Sequence, residues 1–462
     1  MKEFTIGRLL SGLEIVSGKV PVELLCTKLT GISTDTRTIK AGDVFFGIKG
    51  EKFDGGAYRE NAFGSGAVLA VVNEDAPVGI ETEFPVVRVK DTVTALGDAA
   101  REYRAMFGGK VIGITGTNGK TTVKEMILNV LRKRYTVHGT SGNFNNNIGL
   151  PLSLFGLDDR HDCAVFEMGM SAPGEIAYLA GIARPEIGVI LNVGPAHMEF
   201  FRGMDEIADA KAELLRSLPE NGTAVLNADD KYLMTREKDC SCRLVKFGIN
   251  FPADFRGENI VIHEDGCASF TVEGCSVRLR VPGYHMVYNA LAAWSVGRLM
   301  GLEASTITEV LEDFSSPDMR MQITVKEGVR FINDAYNANP LSMRAAMEVL
   351  KSLLRSRDIM ITAVLGDMLE LGSITEASHR ETGKLFGELG IELLCLVGKY
   401  ANYYREGAIE AGMNPKKIRM FSTIAEAIPC IEERKFPGST IFIKGSRALG
   451  LERIITDSDR KV

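Results

Sequence analysis

A glycine-rich turn between an apolar run and a helix start constrains this chain more than any other feature. The stretch "VIGITGTNGKTTVKEM" covers residues 111 to 126, and its first residues, Val111 to Ile114, read as a short buried strand. Small residues ahead of a helix expose backbone N–H groups to an anion. Lys120 is placed to reach terminal phosphates, and the Thr121 hydroxyl is placed to face a magnesium ion. The strict phosphate-loop pattern G-x-x-x-x-G-K-[ST] requires glycine at the position of Ile114, so the match is imperfect. The alternative to a phosphate-binding loop is an ordinary turn that contains GKT by chance.

Length, charge and cysteine usage limit the protein class. The 462 residues exceed one ordinary core and predict three domains. No apolar run approaches the roughly 20 residues of a membrane helix, and "MKEFTIGRLLSG" lacks the apolar core of a signal peptide. We therefore expect a cytoplasmic protein without membrane insertion. The 54 basic and 60 acidic side chains give a net charge of -6 without a long basic run, so nucleic acid is not an expected partner. The eight cysteines show no paired C-x-x-C spacing, which indicates reduced thiols.

Alternation of apolar strands with helical patterns predicts an α/β fold in three domains. Residues 1–106 hold short apolar runs such as "DVFFGI" and "AVLAVV" and read as a small α/β unit. In residues 107–317, "CAVFEMGM", "IGVILNVG" and "GTAVLNAD" predict a mostly parallel sheet covered by helices. A composition break near Pro317 begins residues 318–462, where four further strand patterns predict a Rossmann-like domain. The helical stretch "DTVTALGDAAREYRAMF" either closes the first domain or opens the second.

Three residues are candidates for the phosphate site, and two of them follow strand ends, since the carboxyl ends of parallel strands face the ligand crevice. Glu167 ends "AVFEMG" and offers the hard oxygen that magnesium prefers; a helix N-cap or a solvated loop acid is the alternative. His197 follows a Gly-Pro turn in "LNVGPAHMEF", although most lone histidines are structural. Lys211 lies in the helical stretch "DEIADAKAELL", where the pattern alone favours a solvated lysine.

Amide side chains crowd the stretch "SGNFNNNIGLPLSL", which contains Asn143, Asn145, Asn146 and Asn147. Amides at a turn can satisfy the backbone. Near a phosphate they can also hold a metal or a reacting carboxylate, and both interpretations stay open.

Several segments together resemble the Mur ligases of bacterial cell-wall synthesis. They are "GITGTNGKTT", "NNNIGLPLSL", "EMGMSAPGEI", "NVGPAHMEFF", "AKAELL", "NALAA", "NDAYNANPLSM" and "KGSR", in the family's order and approximate spacing over nearly the whole chain. Within the family, "NANP" resembles the member that adds D-alanyl-D-alanine. The member that adds diaminopimelate is expected to show "DNPR", which this sequence lacks.

The resemblance implies an ATP-dependent ligase that adds D-alanyl-D-alanine to UDP-N-acetylmuramoyl-tripeptide in peptidoglycan precursor synthesis. The peptide's terminal carboxylate would first attack the γ-phosphate of ATP to become an acyl phosphate, and the dipeptide's amine would then displace phosphate. ATP and Mg²⁺ are the implied cofactors. The implied domains are a uridine-nucleotide-binding first domain, a central P-loop ATPase-like domain and a Rossmann-like third domain. We expect a monomer.

The resemblance also implies roles for residues of the phosphate site. Thr121 and Glu167 are similar to ligands of one magnesium, while His197 and a carbamylated Lys211 are similar to ligands or organisers of a second. The implied catalytic residues are Lys120, His197, Lys211 and Asn147. Asn289 resembles the adenine reader, Arg320 a phosphate contact and Asp334 the ribose contact. The full set implied in ATP binding is Thr115, Gly116, Thr117, Asn118, Gly119, Lys120, Thr121, Thr122, Asn289, Arg320, Asp334, Tyr336 and Asn337.

Two polar turns are candidates for substrate contacts. The stretch "STDTRTIKAGDVFFGIKG" resembles the family's uridine-nucleotide loop, and an ordinary polar turn before a strand is its alternative. The turn "KGSR" resembles a binder of peptide carboxylate or phosphate, which suits a fork-shaped guanidinium; without the resemblance it reads as a solvated strand end. The implied contacts are Ser33, Thr34, Asp35 and Arg37 in the first turn and Lys444, Ser446 and Arg447 in the second.

Two other functions stay open at this stage. Another amide ligase of the same fold, such as a folylpolyglutamate synthetase, would not need a uridine-binding first domain. A nucleotide switch would bind partners without making a product, but a guanine switch is expected to carry an N-K-x-D base reader, which this sequence lacks.

Overall fold

Strands of the described residues form four sheets. This computed structural model describes residues 3–50, 53–77, 84–140, 142–355 and 359–456. Within them a five-stranded, a seven-stranded and a six-stranded sheet follow one another along the chain, with a three-stranded antiparallel sheet between the last two in sequence. The predicted mixed α/β fold with parallel sheets is confirmed. The outer ends of the first and third predicted domains, residues 1–2 and 457–462, lie outside the described residues.

The first sheet is small and mostly parallel. Its strands are β1 (Ile15–Ser17), β2 (Ile32–Ser33), β3 (Val44–Gly47), β4 (Leu69–Asn73) and β5 (Val86–Val89), and its helices are α1 (Ile6–Ser11), α2 (Arg59–Gly64) and α3 (Thr92–Arg104). The strand order is β1-β5-β4-β3-β2, with β1 antiparallel to its neighbour and the other pairs parallel. Strands β3 and β4 are buried along their whole length, as expected for apolar runs in a parallel sheet.

The central sheet is parallel throughout the described strands, in the order β12-β11-β10-β9-β6-β8-β7. Its strands are β6 (Lys110–Thr115), β7 (Val137–Gly139), β8 (Cys163–Glu167), β9 (Ile187–Ile190), β10 (Thr223–Asn227), β11 (Arg243–Gly248) and β12 (Phe255–Arg256). The three strands predicted to share this sheet with the first strand are therefore confirmed as β8, β9 and β10, of which β8 and β9 flank β6 and β10 lies beyond β9. The antiparallel sheet that follows consists of β13 (Glu258–Ile262), β14 (Cys267–Val272) and β15 (Cys275–Pro282).

Helices cover the central sheet and bury apolar residues against it. They are α4 (Lys120–Leu131), α5 (Gly149–Leu154), α6 (Glu175–Ala183), α7 (Met204–Arg216), α8 (Lys231–Met234), α9 (His285–Leu299) and α10 (Ala304–Glu312). Helix α9 is buried on most of its surface and carries Trp294, which is fully buried. No helix in the described part of the chain is both long and apolar enough to cross a bilayer.

The third sheet has the order β16-β17-β21-β18-β19-β20, with only its β16–β17 pair antiparallel among the described strands. Its strands are β16 (Gln322–Lys326), β17 (Val329–Asp334), β18 (Ile361–Gly366), β19 (Leu393–Val397), β20 (Ile418–Phe421) and β21 (Thr440–Lys444). The helices are α11 (Pro340–Arg355), α12 (Thr375–Gly387), α13 (Ala401–Glu410), α14 (Ile424–Glu432) and α15 (Arg453–Thr456). The alternation predicted for this region matches these elements.

Helix α3 joins the first sheet to the central region. Arg104, at its C-terminal end, donates from Nε to the Ala183 carbonyl at 2.7 Å, and the buried Tyr103 hydroxyl donates to the Leu157 carbonyl. One hydrophobic core contains residues of the first sheet and of the central region, for example Phe46 and Phe166. The helix therefore packs against both predicted domains, which explains why the sequence assigns it to neither alone. The limits 1–106, 107–317 and 318–462 stay a proposed division of the chain.

Candidate active site

The glycine-rich turn occupies the end of β6 and the start of α4. Gly116 and Gly119 have positive φ values of 155° and 86°, and Gly119 is the N-cap of α4. A Cβ on Gly119 would lie 2.7 Å from the Asn289 amide oxygen, so only glycine fits this position without a shift. The first N–H groups of a helix have no intrahelical acceptor, so the loop presents donors to an anion, as the sequence predicts.

Lys120 lies within this loop and bonds to it. Its Nζ donates to the Gly116 carbonyl at 2.7 Å and approaches the Thr117 carbonyl at 3.4 Å. Burial lowers the pKa of the Lys120 ammonium, and the nearby Glu167 carboxylate opposes that shift. The Lys120 ammonium is therefore shielded from bulk water and is stabilised by two backbone carbonyls and by the charge of Glu167. Thr115, at the end of β6, is fully buried and its hydroxyl has no partner within the described residues.

Glu167 is buried at the end of β8 and faces the loop. Its Oε2 accepts the Thr121 hydroxyl at 2.8 Å, and its Oε1 accepts the Asn145 amide at 2.8 Å. The backbone N–H of Glu167 donates to the Thr140 hydroxyl at 3.1 Å. The Thr140 carbonyl in turn accepts the fully buried Lys124 ammonium at 2.7 Å. The predicted pair of Thr121 and Glu167 is thus in direct contact, and neither the N-cap nor the solvated-acid alternative describes Glu167.

Arg320 reaches the phosphate loop from the far side of the cleft. Its Nη2 donates to the Thr121 hydroxyl at 2.8 Å, and its guanidinium carbon lies 4.0 Å from the centroid of the Tyr336 ring. Nearby, the Asn118 and Asn339 side chains exchange two hydrogen bonds, of 2.8 Å and 3.2 Å. Residues on both sides of position 317 therefore contribute to one site.

His197 and Glu370 meet at the same boundary. The His197 Nδ1 atom lies 2.6 Å from Glu370 Oε2, which forms an ion pair when the imidazole is protonated. Burial lowers the pKa of His197, Glu370 opposes this shift, and the ammonium groups of Lys120 and Lys211 reinforce it. Both contacting residues have left-handed backbone conformations, with φ values of 57° and 61°.

Lys211 is buried in the structure, so the solvated lysine that its sequence pattern favours is wrong. The pattern predicts a solvated helix lysine, but the side chain is only 4% exposed on α7. Burial lowers the pKa of Lys211 well below its ordinary value, Lys120 lowers it further, and Asp230 opposes the shift. The amine has no hydrogen bond or ion pair in the described part of the chain. The solvated face of α7 instead carries Asp205 and Asp209, both paired with Arg236.

The predicted adenosine contacts Asn289 and Asp334 line the same cleft, each with its own hydrogen bonds. Asn289 is 6% exposed and its amide donates to the Met286 sulfur at 3.4 Å. Asp334 accepts the Lys444 ammonium and the Met321 N–H, the latter at 3.0 Å. Lys444 also donates to the Asn337 carbonyl at 3.2 Å. The structure therefore pairs a predicted ribose contact with a predicted substrate contact.

One cleft of about 990 Å³ brings most of these residues together. Its lining includes the predicted residues Gly116, Thr117, Asn118, Gly119, Lys120, Thr122, Asn147, Glu167, His197, Lys211, Asn289, Arg320, Asp334, Tyr336, Asn337 and Lys444. The cleft lies at the carboxyl ends of β6, β8 and β9, the position that a parallel sheet offers to ligands. Its lining therefore combines phosphate-binding, carboxylate and amide chemistry.

The predicted substrate contacts other than Lys444 lie outside this lining, as do Thr115 and Thr121. In the first domain, Ser33 bonds to Thr38 at 2.8 Å, and Arg37 donates from Nη2 to Asp35 Oδ2 at 2.6 Å. Ser446 is 5% exposed and its hydroxyl accepts the Leu369 N–H at 3.0 Å. These side chains, with Thr34 and Arg447, do not line the cleft.

The sequence did not single out several residues of the lining. Asn145, rather than Asn147, contacts Glu167, and four similar amides in one turn give no signal to tell them apart. Asp230, near Lys211, accepts N–H groups of Val193 and Leu233 at 2.7 Å and 3.1 Å, while burial raises the pKa of its carboxyl. Asp230 lies soon after β10, so the rule that singled out Glu167, a carboxylate at the end of a parallel strand, could also have found Asp230.

The donor set fits magnesium bound with a phosphate ligand. No group of three or more His, Cys, Asp or Glu side chains in the described ranges could hold a metal by itself. Mg²⁺ is commonly bound by one or two carboxylates together with water and substrate phosphates. Glu167 and Thr121 supply adjacent oxygen atoms beside an anion-binding loop, so a nucleotide would complete such a site.

Comparisons with known proteins match most of the chain. Residues 28–104 match the family model described as Mur ligase family, catalytic domain; residues 114–297 match the Mur ligase middle domain; residues 319–447 match the Mur ligase, glutamate ligase domain. The UDP-N-acetylmuramoyl-tripeptide--D-alanyl-D-alanine ligase of Bacillus subtilis is 36% identical over 434 residues, which cover 93% of each chain.

Two solved structures resemble the whole fold. The crystal structure of MurF from Acinetobacter baumannii has a TM-score of 0.88 at 31% identity and covers 99% of both chains. MurF ligase from Thermotoga maritima, in complex with ADP, has a TM-score of 0.80 at 28% identity and covers 93% of this chain and 97% of its own.

Proposed function

This chain belongs to the Mur ligase family, and from that premise we propose that it joins D-alanyl-D-alanine to UDP-N-acetylmuramoyl-tripeptide at the cost of ATP. Enzymes of this family are ATP-dependent amide ligases, and the reaction belongs to peptidoglycan precursor synthesis. The observation that carries the proposal is the cleft in which the phosphate loop, Glu167 and Arg320 of the third region converge. The similarity to relatives that carry this ligase name spans nearly the whole chain.

The proposed reaction has two steps. A carboxylate oxygen of the tripeptide attacks the γ-phosphorus of ATP, the bond to the β,γ-bridging oxygen breaks, and ADP leaves. The amine of D-alanyl-D-alanine then attacks the acyl carbon, the C–O bond to phosphate breaks, and the amine loses a proton as the amide forms. Each step moves negative charge among oxygens that lie beside the loop, so positioned cations lower the barrier.

Lys120 and Arg320 are the side chains that we propose to stabilise the transferring phosphoryl group. Lys120 Nζ rests on carbonyls of its own loop, so it is placed where a bound phosphate would compete for it. Arg320 is held flat by the Tyr336 ring and by Thr121, which directs its fork toward the same place. Asn147 lines the cleft nearby, and we propose that it binds an acyl or phosphate oxygen.

We propose Thr121 and Glu167 as the protein ligands of a magnesium ion. Mg²⁺ bound there would neutralise charge on the phosphates. Asn145 holds the Glu167 carboxylate, and Thr140, itself bound by Lys124, holds the Glu167 backbone N–H; a metal ligand needs such support.

We propose that Lys211 is carbamylated and, with His197, organises a second magnesium ion. An amine becomes reactive toward carbon dioxide when it is neutral, and burial lowers the pKa of Lys211 in that direction. A buried, unpartnered ammonium near Lys120 would be unfavourable. A carbamate would replace it with oxygen atoms, which suit magnesium.

Substrate recognition is proposed for residues at both ends of the chain. Ser33, Thr34, Asp35 and Arg37 form a polar turn at the end of β2, where we propose the uridine nucleotide binds. In the third domain, Lys444 binds Asp334, and Ser446 holds the loop after β18. We propose that these two act by positioning neighbours and that Arg447 contacts the peptide.

Phosphate release tests the proposal. It should require ATP, a UDP-N-acetylmuramoyl-tripeptide and D-alanyl-D-alanine together, and mass spectrometry should show the pentapeptide product. Parallel assays with lysine and diaminopimelate at the third position would define the substrate. Release that needs no dipeptide, or that occurs with a folate substrate, would favour a different ligase, and nucleotide binding without product would favour a switch. We also propose a cytoplasmic monomer, which light scattering and cell fractionation would test.

A further inference from the structure

Glu370 contacts the cleft residue His197 but has no role in the proposed phosphate chemistry. It follows β18 and reaches across to the loop after β9, where its Oε2 lies 2.6 Å from His197 Nδ1. The two loops are pressed together, because a Cβ on Gly372 would lie 3.1 Å from Glu199 Cα. The carboxylate therefore lies at the junction between the third region and the phosphate site.

Buried contacts hold the backbone of this loop. Ser446 accepts the Leu369 N–H at 3.0 Å, and the buried His379 accepts the Met368 N–H at 3.1 Å. Asp367 caps the turn that begins at Lys399, accepting its N–H at 2.8 Å. Left-handed residues such as Glu370 persist only where their surroundings determine the conformation, and such residues concentrate at functional sites.

The Glu370 side chain itself stays open to a ligand. It is 53% exposed, and among the described residues His197 is the one side chain that contacts its carboxylate, through Oε2, which leaves Oε1 open. By contrast, Glu167 and Asp334 each accept two hydrogen bonds from protein groups. Glu370 is thus a held carboxylate with one open oxygen, in contact with His197, which lines the cleft.

We propose that Glu370 binds the ammonium group of the incoming dipeptide at this junction. One proton passes from the ammonium to solvent, the neutral amine then attacks the acyl carbon, and the second proton leaves as the amide forms. This inference rests on the proposed function. D-alanyl-D-alanine enters as a zwitterion, and its positive end must approach a site already lined by the cations Lys120 and Arg320. A carboxylate at the boundary offsets that repulsion and supplies a hydrogen-bond acceptor with the correct charge. Glu370 would then act as a binding residue for the amine substrate.

Glu370→Gln tests this role, with Glu376→Gln as the matched control. Glu376 lies in α12 of the same region, is 59% exposed and pairs with Arg380. We expect Glu370→Gln to raise the KM for D-alanyl-D-alanine about tenfold or more, because a charge-assisted hydrogen bond is lost. The KM values for ATP and the UDP-tripeptide should stay within about twofold in both variants. An unchanged dipeptide KM, or an equal rise in all three KM values, would overturn the inference.

A second measurement uses the unsubstituted protein. N-acetyl-D-alanyl-D-alanine has no ammonium group, so it should compete with the dipeptide about tenfold more weakly than the dipeptide's own KM indicates. Equal affinity would overturn ammonium recognition even if the variant failed to fold. If the unsubstituted protein releases no phosphate with the three substrates, the proposed function fails and takes this inference with it. A working parent enzyme with an unaffected Glu370→Gln variant removes the inference alone.

Discussion

Arg320 donates a 2.8 Å hydrogen bond to Thr121, a residue about 200 positions earlier in the chain, while its guanidinium lies over the Tyr336 ring. Thr121 also donates to Glu167, so one hydroxyl links a third-domain cation to the buried carboxylate of the central sheet. The site is therefore complete only when the two regions are docked. This dependence makes Arg320 a test of whether docking and chemistry are coupled.

Arg320→Lys should lower kcat by about 10- to 100-fold, because a lysine keeps the charge but cannot stack and bond in the same fork geometry. Steady-state phosphate release would measure the loss. Arg330→Lys, an exposed position on β17, serves as the control and should leave kcat unchanged. Equal rates in the two variants would show that the Arg320 contact is dispensable.

Lys120→Ala should reduce phosphate release about a thousandfold while leaving the unfolding temperature near that of the parent. The lysine bonds only to carbonyls of its own loop among the described residues, so its loss removes little packing, whereas the transferring phosphoryl loses its nearest positive charge. The exposed Lys110→Ala provides the comparison. Turnover within a few fold of the parent would refute the central role of the loop lysine.

Lys124→Met should lower the free energy of unfolding by about 1–3 kcal/mol, because it leaves the buried Thr140 carbonyl without its donor. Lys124 is fully buried and also pairs with Glu125 at 2.9 Å. Since Thr140 holds the Glu167 backbone, catalytic activity should fall as well, without a change in the charge of the phosphate loop. Urea unfolding and phosphate release on the same samples would check both effects, and a stable variant of normal activity would contradict them.

His379 should make stability fall as the pH drops. Burial lowers the pKa of this fully buried imidazole, so below about pH 6.5 the unfolded chain binds a proton that the folded protein does not. Above that pH this histidine costs the folded state no stability. As the pH falls toward the pKa of His379 in the folded protein, the free energy of unfolding decreases, by about 1.4 kcal/mol for each unit between the unfolded and folded pKa values.

Thermal unfolding between pH 7.5 and 5 would reveal this effect. His379→Gln should flatten the slope, although it should also lower stability at pH 7.5 because the Met368 N–H loses its acceptor. His263→Gln is the control, since that histidine is only partly buried and bonds to Ser269. An identical slope in parent and His379→Gln would exclude this histidine as the source.

Sequence patterns predicted the features of this molecule that are encoded by residues close together in the chain. The strand–glycine–helix motif, the alternation of elements and the strand-end position of Glu167 all follow from chain-local rules, and the structure places them as expected. Contacts made over long sequence distances could not be read in this way. The His197–Glu370 contact joins loops that no spacing rule connects. Lys211 shows the same limit, because helical periodicity reports a face but not what another element packs against it.

Lys211 supplies the last prediction, since it is the residue whose structure departs most from its pattern. An alanine there should abolish ligase activity if the carbamate supplies oxygen ligands. The substitution leaves a space next to Asp230 and Lys120 that a small anion could enter. Acetate or formate should therefore restore part of the activity in Lys211→Ala, in a concentration-dependent manner, while chloride at equal ionic strength should not.

The control is Lys133→Ala, an exposed lysine just beyond α4, which should keep full activity and ignore acetate. A readout independent of activity comes from ¹³C-labelled bicarbonate: the parent protein should show a carbamate carbon resonance that Lys211→Ala lacks. Rescue would identify the missing group as an anion, because a structural role of the aliphatic stem could not be replaced by formate. Full activity in Lys211→Ala would instead mean that the reaction does not need this side chain. No carbamate resonance in the parent would mean that the buried amine is unmodified.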